Sequence, residues 1–367
     1  MISTLKEGQK SSKASDNICA WRDIELNFEP AISLTNTTSP KKKKTPARNT
    51  QPFIMLFNYF KSKTFDPKKD IPSLKGKIIL VTGGTDGMGK QSVLQLARHG
   101  PERLWIAARS IKKAEATVKE IKQKVPDASL KVVHLDLSSL GSVKAAAQTI
   151  MAESDRLDLV LYSAGVMTFT PSVTAEGYEI HFGVNYMGHV LLMRLLIPLM
   201  EKTSQIGGGQ DVRAVMVSSA AYMAAPCRGI NFNTVTGSAK NLFMIQRYGQ
   251  SKLAVKLFAW QLAQEYPWLT AASVHPGLVK TDIIANETKV PYVVQAGNEV
   301  LRKVWMSSVQ DGAKNQLWAS VSKDVESGAY YDPIGIPSQL SSQSSMNLAK
   351  KLWDWTTDEL ESKHYKL

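Results

Sequence analysis

Two side chains that could exchange a proton, Tyr248 and Lys252, lie four positions apart in the stretch YGQSK at 248–252. Residues at this separation share one face of a helix. A neighbouring ammonium favours the charged form of a phenol, whose ordinary pKa is about 10. The pair could therefore donate and accept a proton near neutral pH. Because the same spacing is common on helices with no catalytic role, its position in the fold must decide between the two interpretations.

Two serines, Ser218 and Ser219, directly follow the apolar run Ala214–Val217, which is typical of a buried strand. In an open parallel sheet, ligands bind at the carboxyl ends of the strands. A serine at this end could hold a substrate oxygen beside Tyr248. The serines thus favour the catalytic interpretation of the tyrosine and lysine that follow them.

A glycine-rich turn comes earlier, where Gly83, Gly87 and Gly89 follow the apolar run Ile78–Val81. Glycines let the backbone turn tightly and approach a pyrophosphate, and the helix that begins near Gly87 would point its first N–H groups at that anion. Glycines also mark ordinary turns, so this pattern is weak when taken alone.

The predicted second strand, Arg103–Ala108, indicates which dinucleotide would bind. A fold that binds NAD usually has an acidic residue at the end of this strand, where it accepts hydrogen bonds from the ribose. Arg109 follows instead, and its guanidinium suits a phosphate on the ribose. Lys90 could reach the same phosphate, so we expect NADP rather than NAD. Asp136 could bind the adenine amino group, cap the following helix, or do both.

Apolar runs alternate with helix-length stretches from residue 77 onward. This alternation predicts an α/β fold, a single domain with a doubly wound parallel sheet of the Rossmann type. We expect strands at about 77–82, 103–108, 130–135, 157–162, 214–217, 271–274 and 328–331. We expect the clearest helices at about 87–99, 139–153, 174–200, 247–265 and 347–361.

The 367 residues carry a formal net charge of +13, which is distributed unevenly. Residues 1–75 hold fourteen basic and seven acidic residues. We predict a disordered basic extension over 1–52, an apolar and aromatic segment over 53–70 that could lie on a membrane surface, and a folded domain over 71–365. The alternative for 53–70 is packing against the domain.

Other features limit the class of protein. Cys19 and Cys227 belong to no metal-ligand pattern, so we expect no metal site. The longest apolar run, Val190–Met200, is too short to span a membrane. We interpret Lys41–Lys44 as solvated charge, with a nuclear-type address or an anionic-membrane patch as alternatives, and expect no nucleic-acid partner. Met55 is a plausible alternative start of the chain.

Taken together, the motifs resemble those of the short-chain dehydrogenase/reductase superfamily. The chain is most similar to its retinol dehydrogenase-like and WW-domain-oxidoreductase-like group, with a C-terminus of fungal type. The resemblance covers about 70–360. It rests on TGGTDGMG at 82–89, HLDLSS at 134–139, SAGVM at 163–167, GVNYMGH at 183–189, VSSAA at 217–221, YGQSK at 248–252 and VHPGLVKTD at 274–282.

The resemblance implies a role for each matching residue. Tyr248 would be the general acid or base, Lys252 would lower its pKa and bind the nicotinamide ribose, and Ser219 rather than Ser218 would position the substrate carbonyl. Asn185 would hold a water that links Lys252 to solvent. The implied NADP site consists of Gly83, Thr85, Gly87, Met88, Gly89, Lys90, Arg109, Asp136, Ala164, Gly165, Tyr248, Lys252, Pro276, Gly277 and Thr281.

The sequence departs from the family pattern at Ser163, where the family usually has asparagine. We expect the contact made by that asparagine to be weakened or remade. The interval of 29 residues between Ser219 and Tyr248 is long, and its insert should shape the substrate mouth. The segment after Thr281 is apolar, which favours a lid over a lipophilic substrate; a packed loop is the alternative.

We therefore expect an NADP(H)-dependent oxidoreductase that interconverts an alcohol and a carbonyl. It would face the cytoplasm, with a lipid droplet or the endoplasmic reticulum membrane as the candidate surface. The long predicted helix resembles the pairing helices of family dimers and suggests a homodimer. A sugar epimerase is disfavoured by the glycine spacing, and a catalytically silent scaffold or lipid-surface protein is the other alternative. On the long predicted helix, the residues expected to pair in such a homodimer are Met187, Leu191, Leu195 and Leu199.

Overall fold

A computed structural model of the chain describes residues 62–206, 209, 211–279 and 307–365. Eight strands in these residues form one sheet: β1 (Ile78–Thr82), β2 (Arg103–Ala108), β3 (Leu130–His134), β4 (Leu159–Tyr162), β5 (Val212–Val217), β6 (Leu269–Val274), β7 (Tyr330–Tyr331) and β8 (Pro337–Ser338). Their order is β3-β2-β1-β4-β5-β6-β7-β8. All neighbours pair in parallel except β7 and β8, which pair antiparallel. The order runs both ways from β1, which confirms the doubly wound sheet.

The main helices alternate with the strands along the chain. They are α1 (Gly87–Ala97), α2 (Ile111–Lys124), α3 (Leu140–Ala152), α4 (Gly188–Ser204), α5 (Met244–Glu265), α6 (Val309–Val321) and α7 (Gln343–Ser362). A serine side chain accepts a hydrogen bond from a first-turn N–H at the start of four of them, which satisfies one otherwise unpaired donor in each. These serines are Ser110, Ser139, Ser308 and Ser342.

The sheet is buried on both faces because its strands alternate apolar side chains between two clusters. In β1, Ile78 and Leu80 belong to the cluster under α3, α4, α5 and α7, whereas Ile79 and Val81 belong to the cluster under α1, α2 and α6. All five residues of β1 are buried. The helices packed on both faces hold the sheet in place, and the predicted site residues lie at the carboxyl ends of its strands.

The helix predicted over 174–200 begins later than expected. Gly177, with φ of 86°, turns the chain. The Thr174 N–H donates to the Tyr178 carbonyl, and the Thr174 hydroxyl accepts the Tyr178 N–H at 3.2 Å. The helical path starts at Ile180. Over Gly183–Met187 it is a wider π-helical turn, in which each hydrogen bond spans five residues, and α4 follows. Such a widened turn is often found at functional sites. The sequence analysis did not predict α6.

One helical stretch in the described residues, Ile180–Ser204, is long and apolar enough to cross a membrane, with a mean hydropathy of 1.3. Its most apolar window is 89% buried inside the protein. Burial against the sheet and the neighbouring helices accounts for its composition, so we assign it as a core helix.

The residues that suggested a dimer face lie inside the chain. Met187, Leu191 and Leu199 are at most 8% exposed. Arg194 lies over the Trp353 ring of α7, with its guanidinium carbon 4.5 Å from the ring centroid. Arg194 thus contacts the C-terminal helix, Leu195 is half-buried, and the homodimer stays a prediction.

Only residues 62–70 of the predicted membrane-surface segment are described. Phe65 is 8% exposed and belongs to the core cluster under α1 and α6. Lys63 forms an ion pair with Asp324 and donates its backbone N–H to the Ile334 carbonyl. This part of the segment therefore packs against the domain. The stretch 53–61, the extension 1–52 and Met55 lie outside the described residues.

Candidate active site

The glycine turn joins β1 to α1 in a conformation that needs small residues. Gly83 and Gly87 have φ of 68° and 47°, in the left-handed region that favours glycine. A Cβ on Gly89 would overlap the Gly83 carbonyl, and a Cβ on Gly83 would lie 2.8 Å from the Ala164 Cα. The side chain of Asp86 accepts the Gly87 N–H at 2.7 Å. The backbone is thus open to a close-fitting ligand, as a pyrophosphate requires.

The two basic residues expected at the ribose phosphate differ in their surroundings. Arg109 follows β2 at an exposed position, and none of the described acidic residues forms an ion pair with it. Lys90 instead forms an ion pair with Glu120 of α2 at 2.5 Å, and Lys124 lies on the other oxygen of that carboxylate. Both cations lower the pKa of Glu120. Arg109 is therefore the more available phosphate ligand of the pair.

Asp136 begins the turn between β3 and α3. Its Oδ1 accepts hydrogen bonds from the Ser138 N–H at 2.9 Å and the Ser138 hydroxyl at 2.6 Å. The helix cap itself is Ser139. Asp136 therefore orders the turn through one oxygen, and the described contacts leave the other oxygen for the adenine amino group.

Ala164 and Gly165 follow β4 directly opposite the glycine turn. The Ala164 N–H donates to the Thr82 hydroxyl at 3.1 Å, which holds the two strand ends together. A Cβ on Gly165 would lie 3.2 Å from Asn185 Oδ1 and 3.6 Å from Lys252 Nζ. Because Gly165 has no side chain, the loop after β4, which is predicted to contact the dinucleotide, can lie against Asn185 and Lys252.

A glutamine of α6 makes the contacts at the unusual Ser163. Gln316 is fully buried, and its Nε2 donates to the Ser92 hydroxyl at 2.7 Å and to Ser163 Oγ at 3.3 Å. It also donates to the Met88 carbonyl at 3.3 Å. Ser163 therefore has a partner on α6, a helix that the sequence patterns did not predict, and the fate of the asparagine's contact stays a prediction. The serine is short, and Gln316 fills the space beside it.

Asn185 lies in the widened turn before α4. Its Oδ1 accepts the Val166 N–H at 2.8 Å, and its Nδ2 donates to the Val166 carbonyl at 3.1 Å and to Ser251 Oγ at 3.0 Å. The Asn185 carbonyl faces His189 Nδ1 at 3.1 Å. Asn185 therefore fixes the loop after β4 against the helix that carries Lys252. Its predicted hold on a relay water stays a prediction.

The predicted acid–base residues meet at the carboxyl end of β5. The Ser219 side chain lies near enough to the Tyr248 hydroxyl to lower the pKa of that phenol. Lys252 Nζ lies 5.6 Å from the Tyr248 ring centroid and donates to the Val217 carbonyl at 2.8 Å. By contrast, Ser218 is buried and donates to the Lys252 carbonyl at 2.8 Å, so it fastens β5 to α5.

Burial controls the protonation of this pair. It raises the pKa of Tyr248 to about 12, although the Ser219 side chain acts in the opposite direction. It lowers the pKa of Lys252 to about 8. Burial thus disfavours the charged form of both side chains, and the predicted effect of Lys252 on the Tyr248 pKa stays a prediction.

The stretch after β6 carries Pro276 and Gly277, and Gly277 has φ of 82°. His275, just before them, faces the Ala220 N–H with its Nδ1 at 3.3 Å, and its carbonyl accepts from Asn315 of α6 at 2.8 Å. These contacts hold the stretch over the carboxyl ends of β5 and β6. Thr281 and the predicted lid lie outside the described residues.

A buried polar cluster beside Tyr248 was not predicted. Glu179 and His181 are fully buried, and Glu179 Oε1 accepts from His181 Nδ1 at 2.7 Å. The Thr168 N–H donates to His181 Nε2 at 2.9 Å, and Arg247 Nε lies 3.6 Å from the Glu179 carboxylate. The available signal was a glutamate and a histidine two positions apart within the apolar run before Asn185.

No group of three or more His, Cys, Asp or Glu side chains in the described residues could hold a metal ion.

Comparisons with known proteins agree with the geometry. The family profile described as short chain dehydrogenase matches residues 77–290. The chain is 36% identical over 313 residues to the short-chain dehydrogenase/reductase drtF of Aspergillus calidoustus, covering 80% of this chain and 96% of that protein. It is 32% identical over 285 residues to retinol dehydrogenase 12 of Mus musculus, covering 77% of this chain and 85% of that protein.

Solved structures share the fold at lower identity. An uncharacterized protein from Mycobacterium paratuberculosis superposes with a TM-score of 0.61 at 24% identity, covering 80% of this chain and 97% of that one. A short chain dehydrogenase from Shigella flexneri complexed with NADP superposes with a TM-score of 0.53 at 21% identity, covering 70% and 97%. From the profile match and the curated relatives, we conclude that the chain belongs to the short-chain dehydrogenase/reductase superfamily, as a retinol dehydrogenase-like member.

Proposed function

We propose that this oxidoreductase uses NADP(H) to interconvert an alcohol and a carbonyl, with Tyr248 as its acid–base group. The observation that carries the proposal is that Tyr248, with Lys252 one helical turn further along α5, lies beside Ser219 at the end of β5. Two hydroxyl groups at the carboxyl end of β5 can hold a single substrate oxygen between them.

In its protonated form Tyr248 would act as the proton donor when a carbonyl is reduced. When bound, the dinucleotide supplies or accepts the hydride. A phenol with a pKa of about 12 is protonated at neutral pH, so Tyr248 can donate its proton to the oxygen of a carbonyl whose carbon gains the hydride. Ser219 holds that oxygen and thereby orients the carbon. Lys252 extends its ammonium to the Val217 carbonyl and fixes the helix beneath the tyrosine.

The choice of NADP rests on the end of β2. Arg109 is exposed there, and no acidic residue follows the strand as far as Glu115. Gly83 and Gly89 form a turn that a Cβ would fill, which fits a pyrophosphate. The Shigella flexneri structure with the same fold was solved with NADP. These observations support NADP(H) over NAD(H), because a guanidinium pairs with a phosphate on the ribose.

A lipophilic substrate is supported by the relatives and by the surface around the site. One curated relative is a retinol dehydrogenase. Phe243 is 76% exposed five residues before Tyr248, and Leu278 is 58% exposed just after Gly277. Apolar side chains that remain exposed on the segments flanking a site are suited to an apolar ligand.

Attachment to a lipid droplet or to the endoplasmic reticulum membrane, on the cytoplasmic side, remains part of this proposal. It depends on the aromatic residues of 53–61 alone, because residues 62–70 pack against the domain. Deleting 1–61 should release the protein from membranes in a flotation experiment. A truncated protein that floats with the same fraction would refute this attachment.

The function is tested by following NADPH consumption with a panel of aliphatic, aromatic and retinoid-like aldehydes and ketones. Tyr248→Phe should lower turnover by about two to four orders of magnitude and leave NADPH binding unchanged, because it removes only the transferred proton. Tyr365→Phe is the matched control at the far end of the chain. Turnover that survives Tyr248→Phe would contradict the assigned role.

The same assay separates the alternatives. A silent scaffold or lipid-surface protein would bind NADPH and consume none with any carbonyl. A sugar epimerase would isomerise a nucleotide sugar with no net consumption of the dinucleotide. The juxtaposed Tyr248 and Ser219 favour the reductase over the scaffold, because a protein without catalysis needs no such pair at a strand end.

A further inference from the structure

A buried lysine lies near the proposed acid–base group without a role in its chemistry. Lys256 is 5% exposed, one helical turn beyond Lys252 on α5. Its Nζ lies 4.3 Å from the ring centroid of Tyr222 and 4.6 Å from that of Tyr330. No hydrogen bond or ion pair joins this ammonium to another residue in the described part of the chain. A lysine is rarely buried in this way unless it is paired.

The second unusual group is the hydroxyl of Tyr330. Tyr330 is 3% exposed, and its hydroxyl is buried without a hydrogen-bond partner among the described residues. Buried tyrosine hydroxyls usually find a partner, and one left unsatisfied destabilises the folded state. The Tyr330 ring packs edge-on against that of Tyr222, with centroids 5.3 Å apart. The unsatisfied donor and the unpaired ammonium therefore belong to one cluster.

The cluster lies on the catalytic edge of the sheet. Tyr222 comes three residues after Ser219, on the short helical turn Ala220–Ala224, and Tyr330 is in β7. Tyr330 is close enough to Tyr248 for the two phenols to interact electrostatically. Long side chains on a helix point toward its N-terminus, so Lys256 extends toward the Tyr248 end of α5.

We propose that Lys256 and Tyr330 form a second polar subsite that donates hydrogen bonds to a neutral carbonyl or ester oxygen of the substrate, remote from the reacting carbon. The subsite rests on the proposed function, since its ligand is the substrate of Tyr248. An ammonium and a phenol offer only donors toward such an oxygen. The substrate would thus be a lipophilic molecule with two oxygen functions rather than one.

A neutral oxygen is favoured over a carboxylate by the residue after β7. Asp332 lowers the cost of charging Lys256, and Lys256 in turn lowers the pKa of Asp332, which burial raises to about 6. A second carboxylate would be repelled by Asp332. An uncharged oxygen accepts from the ammonium without that repulsion.

The test uses the full chain with NADPH and a series of methyl keto esters that have one to four methylenes between the ketone and the ester. Each ester is compared with its keto acid and with the unbranched methyl ketone of equal chain length. The wild type should show the highest kcat/KM with one of the esters. Lys256→Met and Tyr330→Phe should each lower that value by about tenfold and change the value for the plain ketone by less than about twofold.

Tyr331→Phe is the matched control, since it removes a hydroxyl from the neighbouring residue of β7. The Tyr331 hydroxyl accepts the Glu326 N–H at 2.7 Å, and its ring packs in the other core cluster. This control should leave the preference for the ester intact. Lys256→Arg retains a donor and should keep more of the preference than Lys256→Met.

Binding of the same compounds by calorimetry separates the subsite from the proposed reaction. If the wild type reduces no ketone, the proposed reaction fails, but tighter binding of one ester that both substitutions abolish would still support the subsite. Equal binding of ester and plain ketone across the whole series would overturn it and leave a resident water as the partner of Tyr330. A preference for the keto acid would overturn the neutral oxygen.

Discussion

The ring of His181 stands edge-on to the ring of Tyr248, with centroids 5.9 Å apart and an interplanar angle of 76°. His181 is held by two hydrogen bonds, one from the Thr168 N–H and one to the Glu179 carboxylate. Because a backbone N–H faces Nε2, the proton of the neutral ring is on Nδ1. Glu179 also accepts the Phe182 N–H at the start of the helical path to Asn185. One buried carboxylate thus connects the surroundings of Tyr248 and Asn185.

Replacing His181 should affect both stability and catalysis. His181→Leu would remove the hydrogen bonds that the Thr168 N–H and Glu179 make with the ring, and the loss of a buried hydrogen bond costs about 1–3 kcal/mol. We expect a lower free energy of unfolding and a lower kcat with little change in the KM for NADPH, since the ring supports Tyr248 and lies apart from the glycine turn. Urea unfolding and steady-state kinetics would measure these effects.

The exposed His134 on β3 provides the control for that substitution. His134→Leu should change the free energy of unfolding by less than about 0.5 kcal/mol. A His181→Leu protein with the wild-type kcat would show that the contact with Tyr248 has no catalytic consequence.

Arg109 should determine the preference for NADPH. Arg109→Ala would remove the only guanidinium at the end of β2, and an ion pair with a phosphate of this kind is worth about 1.5–3 kcal/mol, so the Kd for NADPH should rise about tenfold or more. The Kd for NADH should change little. Lys144→Ala, which removes an exposed charge from α3, is the control. Equal weakening of both dinucleotides would reject NADP specificity.

Gln316 should stabilise the packing of α6 against the start of α1, next to the glycine turn. Gln316→Leu would leave the buried Ser92 hydroxyl and the Met88 carbonyl without this donor, so we expect a loss of about 1–3 kcal/mol in the free energy of unfolding. Cofactor binding should weaken as well, because Met88 lies within the glycine turn. Gln339→Leu at a solvent-exposed position should be nearly neutral, and a neutral Gln316→Leu would contradict the bridging role.

His189 should make stability depend on pH. Burial lowers its pKa to about 3, whereas a histidine in the unfolded chain has a pKa of about 6.5. Between these values the unfolded state binds the extra proton, so the stability that neutral His189 contributes is present above the unfolded pKa and is lost as the pH falls. His189→Gln should be less stable than the wild type at neutral pH. Their difference in unfolding free energy should shrink by about 1 kcal/mol per pH unit between pH ~6 and pH ~4. A difference in unfolding free energy that does not change with pH would show that the destabilisation has a cause other than the protonation of His189.

Much of the fold follows from local sequence patterns. The run Ile78–Val81 and the runs of β4 and β5 are short and apolar because these central strands are covered on both faces. Gly83 and Gly87 have positive φ at the turn where the pattern requires it. The spacing of Tyr248 and Lys252 puts both on one helix face irrespective of any distant contact.

Contacts between distant segments were out of reach of such patterns. Gln316 lies 153 positions from Ser163, and nothing near either residue signals the bond between them. In the sequence, Lys256 is one of several lysines on predicted helices. Only the fold places Tyr330 of β7 against it. The apolar residues of α4 suggested a dimer face, and only the fold shows that Met187, Leu191 and Leu199 are buried within the chain.

The sequence by itself therefore determined the succession of strands and helices along the chain, the glycine turn and the Tyr248–Lys252 pair. Each of these depends on residues only a few positions apart. The tertiary structure decided which polar groups are buried together: Glu179 with His181, Gln316 with Ser163, and Lys256 with Tyr330. Burial removes water from these groups, so the free energy of each depends on its partner. That partner is supplied by the fold and not by the neighbouring sequence.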